Sequence, residues 1–330
     1  MPKISLIIPL YNAVRHLRSC LDSVTRQSFA DFEVILVNDG STDGTVEIVK
    51  EYCRRYPHFR LINQENGGVS VARNRGMAES RAPFIAFLDQ DDLLHPQALE
   101  ILYQMAETTA ADVSAFRIRL VPDDFAGDSQ PQHFNVAEAA AAAHLSRSPI
   151  TDFFQTPKGG PIYIWNKLYR RAALGAVEFP PGVQPAEDTV FTLKMLLTVK
   201  TLASTDLQLL YYRNNEASVT KQGITEKYVR SHALAAGEIK RFIDGLSLHD
   251  QWLSRRLDFY LSRFIFKSLI SQPLRLISGP DRPRRLETSR ELAAAFLQNG
   301  ALKPPLLGWK KALICRLYFK RCYHAAKFLA

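Results

Sequence analysis

The chain has 330 residues, of which 46% are hydrophobic and 23% are charged. This composition supports one large core or two moderate ones, and it excludes both a disordered chain and a small disulfide-stabilised scaffold. The net charge of +9 favours anionic partners such as phosphate-bearing ligands, lipid headgroups or nucleic acid, without choosing among them.

The N-terminus and the cysteines bear on the cellular compartment. The first apolar run stops at Pro9 without a signal-peptide pattern, and no run of eighteen uncharged apolar residues occurs. We therefore expect neither secretion nor a membrane span. The four cysteines lack CxxC spacing, which argues against a disulfide framework and a zinc site and favours a reduced, cytosolic protein.

The first 120 residues alternate short apolar runs with segments of helical spacing. Apolar runs typical of buried strands occupy 4–10, 32–38, 59–63, 83–89 and 112–118. Between them, apolar residues recur near the helical period, as at Leu17, Leu21 and Val24. This alternation predicts an α/β fold with a mostly parallel sheet and helices on both faces. Ligands of such sheets bind beyond the carboxyl ends of the strands.

The sequence pattern of the rest of the chain divides it into three segments. Residues 122–150 predict an irregular excursion that ends in a helix at an alanine run. Order returns over 161–220, with a helix starting near Glu187 and a strand at LQLLYYRNN. From 225 onward the spacing predicts helices only, over 228–246, 252–272 and 286–298.

Three carboxylates follow the fourth apolar run, at Asp89, Asp91 and Asp92. Like charges this close repel one another, and a divalent cation would neutralise them. Such oxygen ligands suit Mg²⁺ or Mn²⁺, which take one or two carboxylates together with substrate phosphates. The motif FLDQDDL therefore predicts a diphosphate-binding metal site. The alternative is a solvated acidic turn that caps the next helix.

Two more segments follow predicted strands. VNDGSTDGT places Asp39 at a strand end, where its carboxylate can accept a hydrogen bond from a nucleobase N–H. NGGVSVARNRG has two glycines that let the backbone approach a ligand, followed by Arg73 and Arg75. A diphosphate or a nucleobase fits there. The alternatives are ordinary turn chemistry and a helix start with a solvated basic face.

Absent motifs exclude three enzyme classes. The sequence has no GxGxxG after its first strand, which argues against a dinucleotide-binding Rossmann enzyme, and no GxxxxGK, which argues against a P-loop enzyme. Its eight histidines are dispersed without HExxH, which argues against a zinc hydrolase.

The motifs FLDQDDL, VNDGSTDGT and NGGVSVARNRG, together with IIPLYN at 7–12, resemble those of the family 2 glycosyltransferases of the GT-A fold over about residues 3–120. The resemblance implies a Rossmann-like, mostly parallel sheet flanked by helices, with a C-terminal helical extension. Together with the pattern of the later segments, which return to order over 161–220, this predicts a catalytic domain over 1–222, with a nucleotide-sugar half at 1–120 and an acceptor half at 121–222. Residues 223–330 would form the basic helical region.

The resemblance also assigns candidate site residues. Those implied to bind the nucleotide sugar are Pro9, Tyr11, Asn12, Asp39, Gly40, Arg73, Asp89 and Gln90. Asp91 would hold the metal, Mn²⁺ or Mg²⁺. Gln90 departs from the family, which more often has serine or an acid there, so we expect a bulkier amide near the sugar.

The family's acidic pair at a helix start is matched by PAEDTVF. The resemblance makes Asp188 the base and Glu187 an acceptor-binding or orienting group. The alternative is a pair of acids that merely stabilises the helix start. The family often has a histidine after the Tyr-Arg pair, where this chain has two asparagines at 214 and 215. Positive charge for the leaving diphosphate is then expected from Arg213 or Lys221.

The expected function is inverting, metal-dependent transfer of a sugar from a nucleotide-diphosphate donor, UDP-linked, to a glycan or lipid-linked acceptor in surface polysaccharide synthesis. The alternative is an inactive basic scaffold that binds membrane or nucleic acid. Residues 301–330 carry seven Lys or Arg and no acid, which is typical of an interfacial amphipathic helix. We expect a cytoplasmic protein, peripheral at the inner face of the cytoplasmic membrane. The alternative is a helix whose apolar stripe packs on the domain.

Overall fold

The computed structural model of the chain describes residues 1–156, 163–214, 224–320 and 326. The predictions for Asn215 and Lys221, and those for Arg321 and Lys327 in the basic C-terminal segment, lie outside these residues. The chain forms two compact units. The first comprises 1–181 and 191–215, and the second comprises 182–190 and 216–330.

The first unit is built on one sheet, which has nine strands among the described residues. The strands are β1 (Ile4–Leu10), β2 (Phe32–Asp39), β3 (Phe59–Gln64), β4 (Phe84–Phe87), β5 (Leu93–Leu94), β6 (Val113–Val121), β7 (His144–Ser146), β8 (Lys167–Arg170) and β9 (Leu202–Arg213). Their order is β3-β2-β1-β4-β8-β6-β9-β5, with β7 also paired to β9. The five strands predicted in the first 120 residues are all present.

Strands β1 to β4 pair in parallel, as do β6 and β9. Strand β8 runs antiparallel between β4 and β6, and β5 and β7 pair antiparallel with β9. All seven residues of β1 are buried, as expected for a strand covered on both faces. The predicted α/β fold is confirmed, and the antiparallel strands lie in its second half.

Helices of the first unit follow its strands. They are α1 (Leu17–Thr25), α2 (Thr45–Arg55), α3 (Val69–Glu79), α4 (Ala98–Thr109), α5 (Val136–Ala141), α6 (Pro149–Gln155) and α7 (Arg171–Leu174). Leu17, Leu21 and Val24 of α1 are fully buried, so the predicted apolar stripe is the face that packs. Helix α8 (Glu187–Thr198) spans the division between the two units.

The second unit is helical in the residues that the structure describes. Its further helices are α9 (Glu226–Asp244), α10 (Gln251–Phe266), α11 (Gln272–Leu276), α12 (Arg282–Gln298) and α13 (Trp309–Phe319), with a π-helical turn Lys267–Ser271 and a 3₁₀ turn Pro304–Leu307. None of the described helices combines the length and apolarity that crossing a bilayer requires.

The apolar stripe of the basic C-terminal segment is only partly exposed. Ile314, Cys315 and Tyr318 of α13 are buried, and the Tyr318 hydroxyl lies 3.2 Å from the carbonyl oxygens of Leu269 and Leu286. The prediction that the stripe forms an outer surface is therefore wrong for Ile314 and Tyr318, and also for Leu307, which is buried as well; these residues belong to the core. Among the described residues of this segment, the large apolar side chains left exposed are those of Leu306, Trp309 and Leu313.

Candidate functional site

The parallel strands bring four motif segments to one edge of the sheet. Leu10 lies beside Asn38 in the register of β1 and β2, and Asp39 lies beside Gln64 in that of β2 and β3. Strand β4 ends at Phe87, level with the middle of β1. The loops that follow these strands carry the predicted residues, so the parallel topology itself assembles this part of the site.

The loops after β1 and β2 are joined by hydrogen bonds. Asn12 has a φ of 48°, and its Oδ1 accepts a bond of 2.9 Å from Thr42 N. The backbone N of Asn12 donates to Ser41 Oγ at 3.1 Å. Pro9 is buried within β1, whereas Tyr11 is 49% exposed. The Asn12 amide therefore shapes the loop and leaves the Tyr11 ring open to a ligand.

Asp39 is 3% exposed and organises the glycine loop after β3. Its Oδ1 accepts hydrogen bonds from Gly67 N and Gln64 Nε2, and its Oδ2 accepts one from Gly68 N, each 2.8 Å long. The neighbouring Gly40 has a φ of 71° and approaches Asn66 so closely that a Cβ would lie 3.0 Å from its N atom. A side chain at this position would be strained by the positive φ and crowded against Asn66, and glycine avoids both.

The three polar residues of the ARNRG sequence in α3 make different contacts. Arg73 is 2% exposed and donates from Nη2 to Asp89 Oδ1 at 2.9 Å, with its guanidinium 5.2 Å from the centre of the Phe179 ring. Asn74 donates to Phe179 O and accepts from Phe179 N. Arg75, on the outer face, pairs with Glu79. Arg73 thus links the glycine loop to the acidic motif.

Gln90 joins the acidic turn to the loop after β1. Its Oε1 accepts a hydrogen bond of 2.8 Å from Tyr11 N, and its Nε2 donates one of 3.0 Å to Tyr11 O. The expectation of a bulkier amide near the sugar stays a prediction, and both ends of that amide are bonded to the Tyr11 backbone. The glutamine acts as a clasp between two of the predicted segments.

The three carboxylates of the acidic motif differ in environment. Asp89 pairs with Arg73, Asp91 is half-buried, and Asp92 is 1% exposed. Asp92 Oδ1 accepts a bond from Arg213 N, whereas its Oδ2 is buried without a hydrogen-bond partner. Burial, reinforced by the Asp91 and Asp89 charges, raises the pKa of Asp92 well above its ordinary value.

Arg213 lies beneath this acidic turn and is 4% exposed. Its Nη1 donates to Asp91 O at 2.6 Å, its Nη2 to Ser19 Oγ at 2.9 Å and to Phe125 O at 2.7 Å. Its Nε also donates to Phe125 O. The expectation that Arg213 or Lys221 supplies charge to a leaving diphosphate stays a prediction, and for Arg213 any such charge would act from a guanidinium that is buried and bonded within the protein. This guanidinium supports the backbone of the metal-binding motif.

The predicted acidic pair lies in the second unit. Glu187 and Asp188 occupy the first turn of α8, as predicted, with Glu187 buried and Asp188 half-buried. The preceding Gln184–Pro185 peptide is cis, and Ala186 has a φ of 95°. The helix N-terminus favours anionic side chains at both positions.

The donor chemistry of the acidic turn suits a hard divalent cation. Among the described residues no three His, Cys, Asp or Glu side chains are grouped as a metal cage. Mg²⁺ and Mn²⁺ do not need one, since one or two carboxylates suffice when substrate phosphates and water complete the shell. Asp89 and Asp91 are the half-buried carboxylates that follow this strand end.

Sequence reasoning missed several residues that fix this geometry. Gln64 bonds Asp39, Ser19 bonds Arg213, and Asn74 bonds Phe179, whose ring lies against Arg73. Asn74 had a detectable signal, because a polar residue in the middle of a short helix that follows a glycine loop needs a partner. Gln64 had the signal that it directly follows a predicted strand, whereas nothing local distinguishes Ser19 from ordinary polar residues.

Comparison of the sequence with known proteins identifies the family to which the chain belongs. The profile of Glycosyl transferase family 2 matches residues 5–177, just over half of the chain. The chain is 32% identical over 231 residues to the uncharacterized glycosyltransferase EpsJ of Bacillus subtilis strain 168, which covers 67% of this chain and 64% of that protein. It spans less than two thirds of the length of the curated relatives that it matches first.

Two solved structures are similar in fold. The crystal structure of S. aureus TarS 1-349 in complex with UDP-GlcNAc matches with a TM-score of 0.72 and 22% identity, over 99% of this chain and 90% of that one. The mannosyltransferase PcManGT from Pyrobaculum calidifontis, in complex with GDP-Man and Mn²⁺, matches with a TM-score of 0.53 and 18% identity, over 99% and 87%. At these identities the likeness establishes the fold, in agreement with the expected GT-A architecture.

Proposed function

The chain belongs to glycosyl transferase family 2, and from that premise we propose that it is an inverting glycosyltransferase. Its donor is a nucleotide-diphosphate sugar, UDP-linked, and its acceptor is a glycan or lipid-linked saccharide of a surface polysaccharide. The complex of TarS with UDP-GlcNAc supports the nucleotide. The catalytic domain is assigned to 1–222 and the helical region to 223–330.

The observation that carries this proposal is the set of hydrogen bonds and ion pairs that joins the loops after strands β1 to β4. Gln90 clasps the Tyr11 backbone, Arg73 pairs with Asp89, and Asp39 holds the glycine loop. These three links hold the exposed Tyr11 ring, the glycine loop and the acidic motif together at one edge of the sheet, which suits a ligand that has both a base and a diphosphate. An acidic turn that merely capped a helix would need none of them.

Asp91 would hold the divalent cation, with Asp89 beside the ribose. The complex of PcManGT with GDP-Man and Mn²⁺ supports this ion class. The cation supplies positive charge that stabilises the developing diphosphate. The buried Arg213 fixes the Asp91 backbone, and Arg73 partly offsets the negative charge of Asp89. These residues make the crowded acids tolerable before any ligand binds.

Asp188 acts as the base, with Glu187 orienting the acceptor. The acceptor hydroxyl oxygen bonds to the anomeric carbon, the bond from that carbon to the diphosphate breaks, and Asp188 takes the hydroxyl proton. UDP leaves with the electron pair, so one displacement inverts the anomeric centre. Two adjacent acids on the first turn of a helix are held by regular backbone geometry, which suits a group that must be aimed.

The test compares wild type with Asp91→Asn, which removes one charge at nearly constant volume. UDP with Mn²⁺ should raise the melting temperature of the wild type, because a ligand that binds only the folded state stabilises it. The variant should lose this metal-dependent shift and the release of UDP from UDP-GlcNAc. Turnover by wild type in excess chelator would contradict the metal assignment. UDP binding without turnover of any nucleotide sugar would favour the inactive scaffold.

We also propose that the C-terminal region docks the enzyme on an anionic membrane surface at the cytoplasmic face. Residues 251–330 contain sixteen Lys and Arg but four Asp and Glu, a net charge of +12. The other 250 residues therefore sum to −3. Trp309 is 80% exposed, and Lys310, Arg316 and Lys320 are exposed on the same segment. An exposed indole among cations is typical of interfacial contact.

Co-sedimentation with vesicles tests this docking on the full chain. Truncation would remove the buried Ile314 and Tyr318, so the sharper variant is Trp309→Ser with Leu313→Ser. It should reduce binding to phosphatidylglycerol vesicles, and phosphatidylcholine vesicles should bind neither form. Leu234→Ser, which changes another exposed leucine of the second unit, is the control. Equal binding by all three proteins would refute the assigned face, and binding of duplex DNA instead of vesicles would favour nucleic acid.

A further inference from the structure

The segment 184–186 leads directly into the turn that carries Asp188, and its backbone is strained. Ala186 has a φ of 95°, whereas the other described non-glycine residues of positive φ, Asn12 and Ala110, have values of 48° and 52°. Those two lie near the left-handed helical region that short side chains can visit, and Ala186 lies well outside it. Such a conformation persists only when neighbouring structure holds it.

Ser231 on α9 supplies a restraint within the same unit. Its Oγ accepts a hydrogen bond of 2.7 Å from Gln184 N and donates one of 2.8 Å to Pro185 O. Ser231 is 3% exposed, so water does not compete for these bonds. One buried hydroxyl thus fixes the two residues that immediately precede Ala186.

We propose that Ser231 is a positioning residue, which holds 184–186 in its strained form and so fixes the direction in which α8 presents Asp188. This inference rests on the proposed function, because it depends on Asp188 being the base. Without the hydroxyl, Ala186 is free to relax and the first turn of α8 moves with it. Misplacing a catalytic group by about 1 Å can cost on the order of 100-fold in rate.

Ser231→Ala is tested against Ser262→Ala, a closely matched control. Ser262 is a fully buried serine of the same unit whose Oγ also bridges two backbone groups, accepting from Lys303 N at 3.0 Å and donating to Ala301 O at 3.2 Å. Both variants lose two buried hydrogen bonds, so their melting temperatures should fall by similar amounts.

The rate of turnover should differ between the two variants. With UDP-GlcNAc and Mn²⁺ as the probe, Ser231→Ala should release UDP about 10- to 100-fold more slowly, while Ser262→Ala stays close to wild type. The Kd for UDP should change in neither variant, because Ser231 acts on the base and not on the donor. Equal losses of turnover in the two variants, or none in Ser231→Ala, would overturn the proposal.

A second substitution distinguishes positioning from general destabilisation. Glycine adopts positive φ with little strain, so Ala186→Gly introduced into Ser231→Ala should recover much of the lost turnover, together with the part of the melting temperature that the strain had cost. Recovery of neither quantity would count against the strain argument.

Hydrogen exchange separates a failure of this inference from a failure of the proposed function. In Ser231→Ala, amides over 184–190 should exchange faster than in wild type or Ser262→Ala. If they do not, the restraint is refuted whatever the activity. If they do, but Asp188→Asn turns over like wild type, the assignment of the base is refuted and the positioning role falls with it.

Discussion

At the residue scale, the proposed division of labour between Asp188 and Glu187 can be tested by isosteric substitution. Asp188→Asn removes the proton acceptor but retains the side-chain volume, so UDP affinity should be nearly unchanged while turnover falls by about 100-fold or more. Glu187→Gln should have a smaller effect that appears mainly in the KM for the acceptor. Steady-state kinetics with a varied acceptor measure both. If Glu187→Gln lost most of its turnover and Asp188→Asn lost little, the two roles would be reversed.

The Gln90 clasp gives a second prediction at this scale. Gln90→Ala removes both bonds between the acidic turn and the Tyr11 backbone, so the two loops must be ordered by the ligand itself. We expect the Kd for UDP with Mn²⁺ to rise about tenfold, which corresponds to about 1.4 kcal/mol. Titration calorimetry measures this change. Gln104→Ala, at a glutamine whose described bond is to Thr108 one helical turn away, serves as the control and should bind like wild type.

At the scale of elements, close packing of α3 on β1 positions both the glycine loop and Arg73. A Cβ added to Gly76 would lie 2.4 Å from Ile7 Cγ2, so Gly76→Ala must push the helix from the strand. We expect a loss of about 1–3 kcal/mol in the free energy of unfolding, together with weaker UDP binding.

Gly237 provides the opposite control for this prediction. It lies within α9, and a Cβ there would meet nothing within 4 Å. Gly237→Ala should therefore stabilise the protein by up to about 1 kcal/mol through helix propensity alone. Urea unfolding of both variants checks the pair. A neutral Gly76→Ala would show that α3 can shift without cost, and the close approach would lose its role in the site.

At the scale of the whole molecule, the second unit should respond to pH through His232. This histidine is 8% exposed, its Nδ1 lies 2.9 Å from Tyr228 O, and its ring stacks on Tyr228 at 3.9 Å. Burial, helped by the nearby Lys267 charge, lowers the pKa of His232 from 6.5 to about 4. The unfolded chain therefore binds the proton more tightly than the folded one.

This difference in proton affinity determines the direction in which the free energy of unfolding changes with pH. The stability associated with neutral His232 is complete above pH 6.5 and declines as the pH falls towards 4, by about 3 kcal/mol in all. Urea unfolding across this range should show that slope in wild type and a shallower one in His232→Gln, which does not titrate. Identical slopes would show that His232 is not protonated differently in the two states.

Sequence alone determined the parallel part of the first unit, β1 to β4 with their helices, and its motifs. Apolar runs such as Ile4–Leu10 and the helical spacing at Leu17, Leu21 and Val24 are local patterns, and each form of secondary structure satisfies its own backbone hydrogen bonds. Parallel order then places the residues after each strand at one edge. The candidate nucleotide-binding residues followed from these local rules and from the family motifs.

Only the tertiary structure decided which polar groups meet. Gln90 contacts Tyr11 across 79 positions, and Arg213 contacts Asp91 across 122. No local pattern selects such partners, because one amide or guanidinium can bond many groups and burial decides which are within reach. The same reason explains Ile314 and Tyr318, whose apolar spacing suits a membrane face and a core equally. Packing against α12 and the π-helical turn, seen in the Tyr318 contacts with Leu286 and Leu269, settles that they belong to the core.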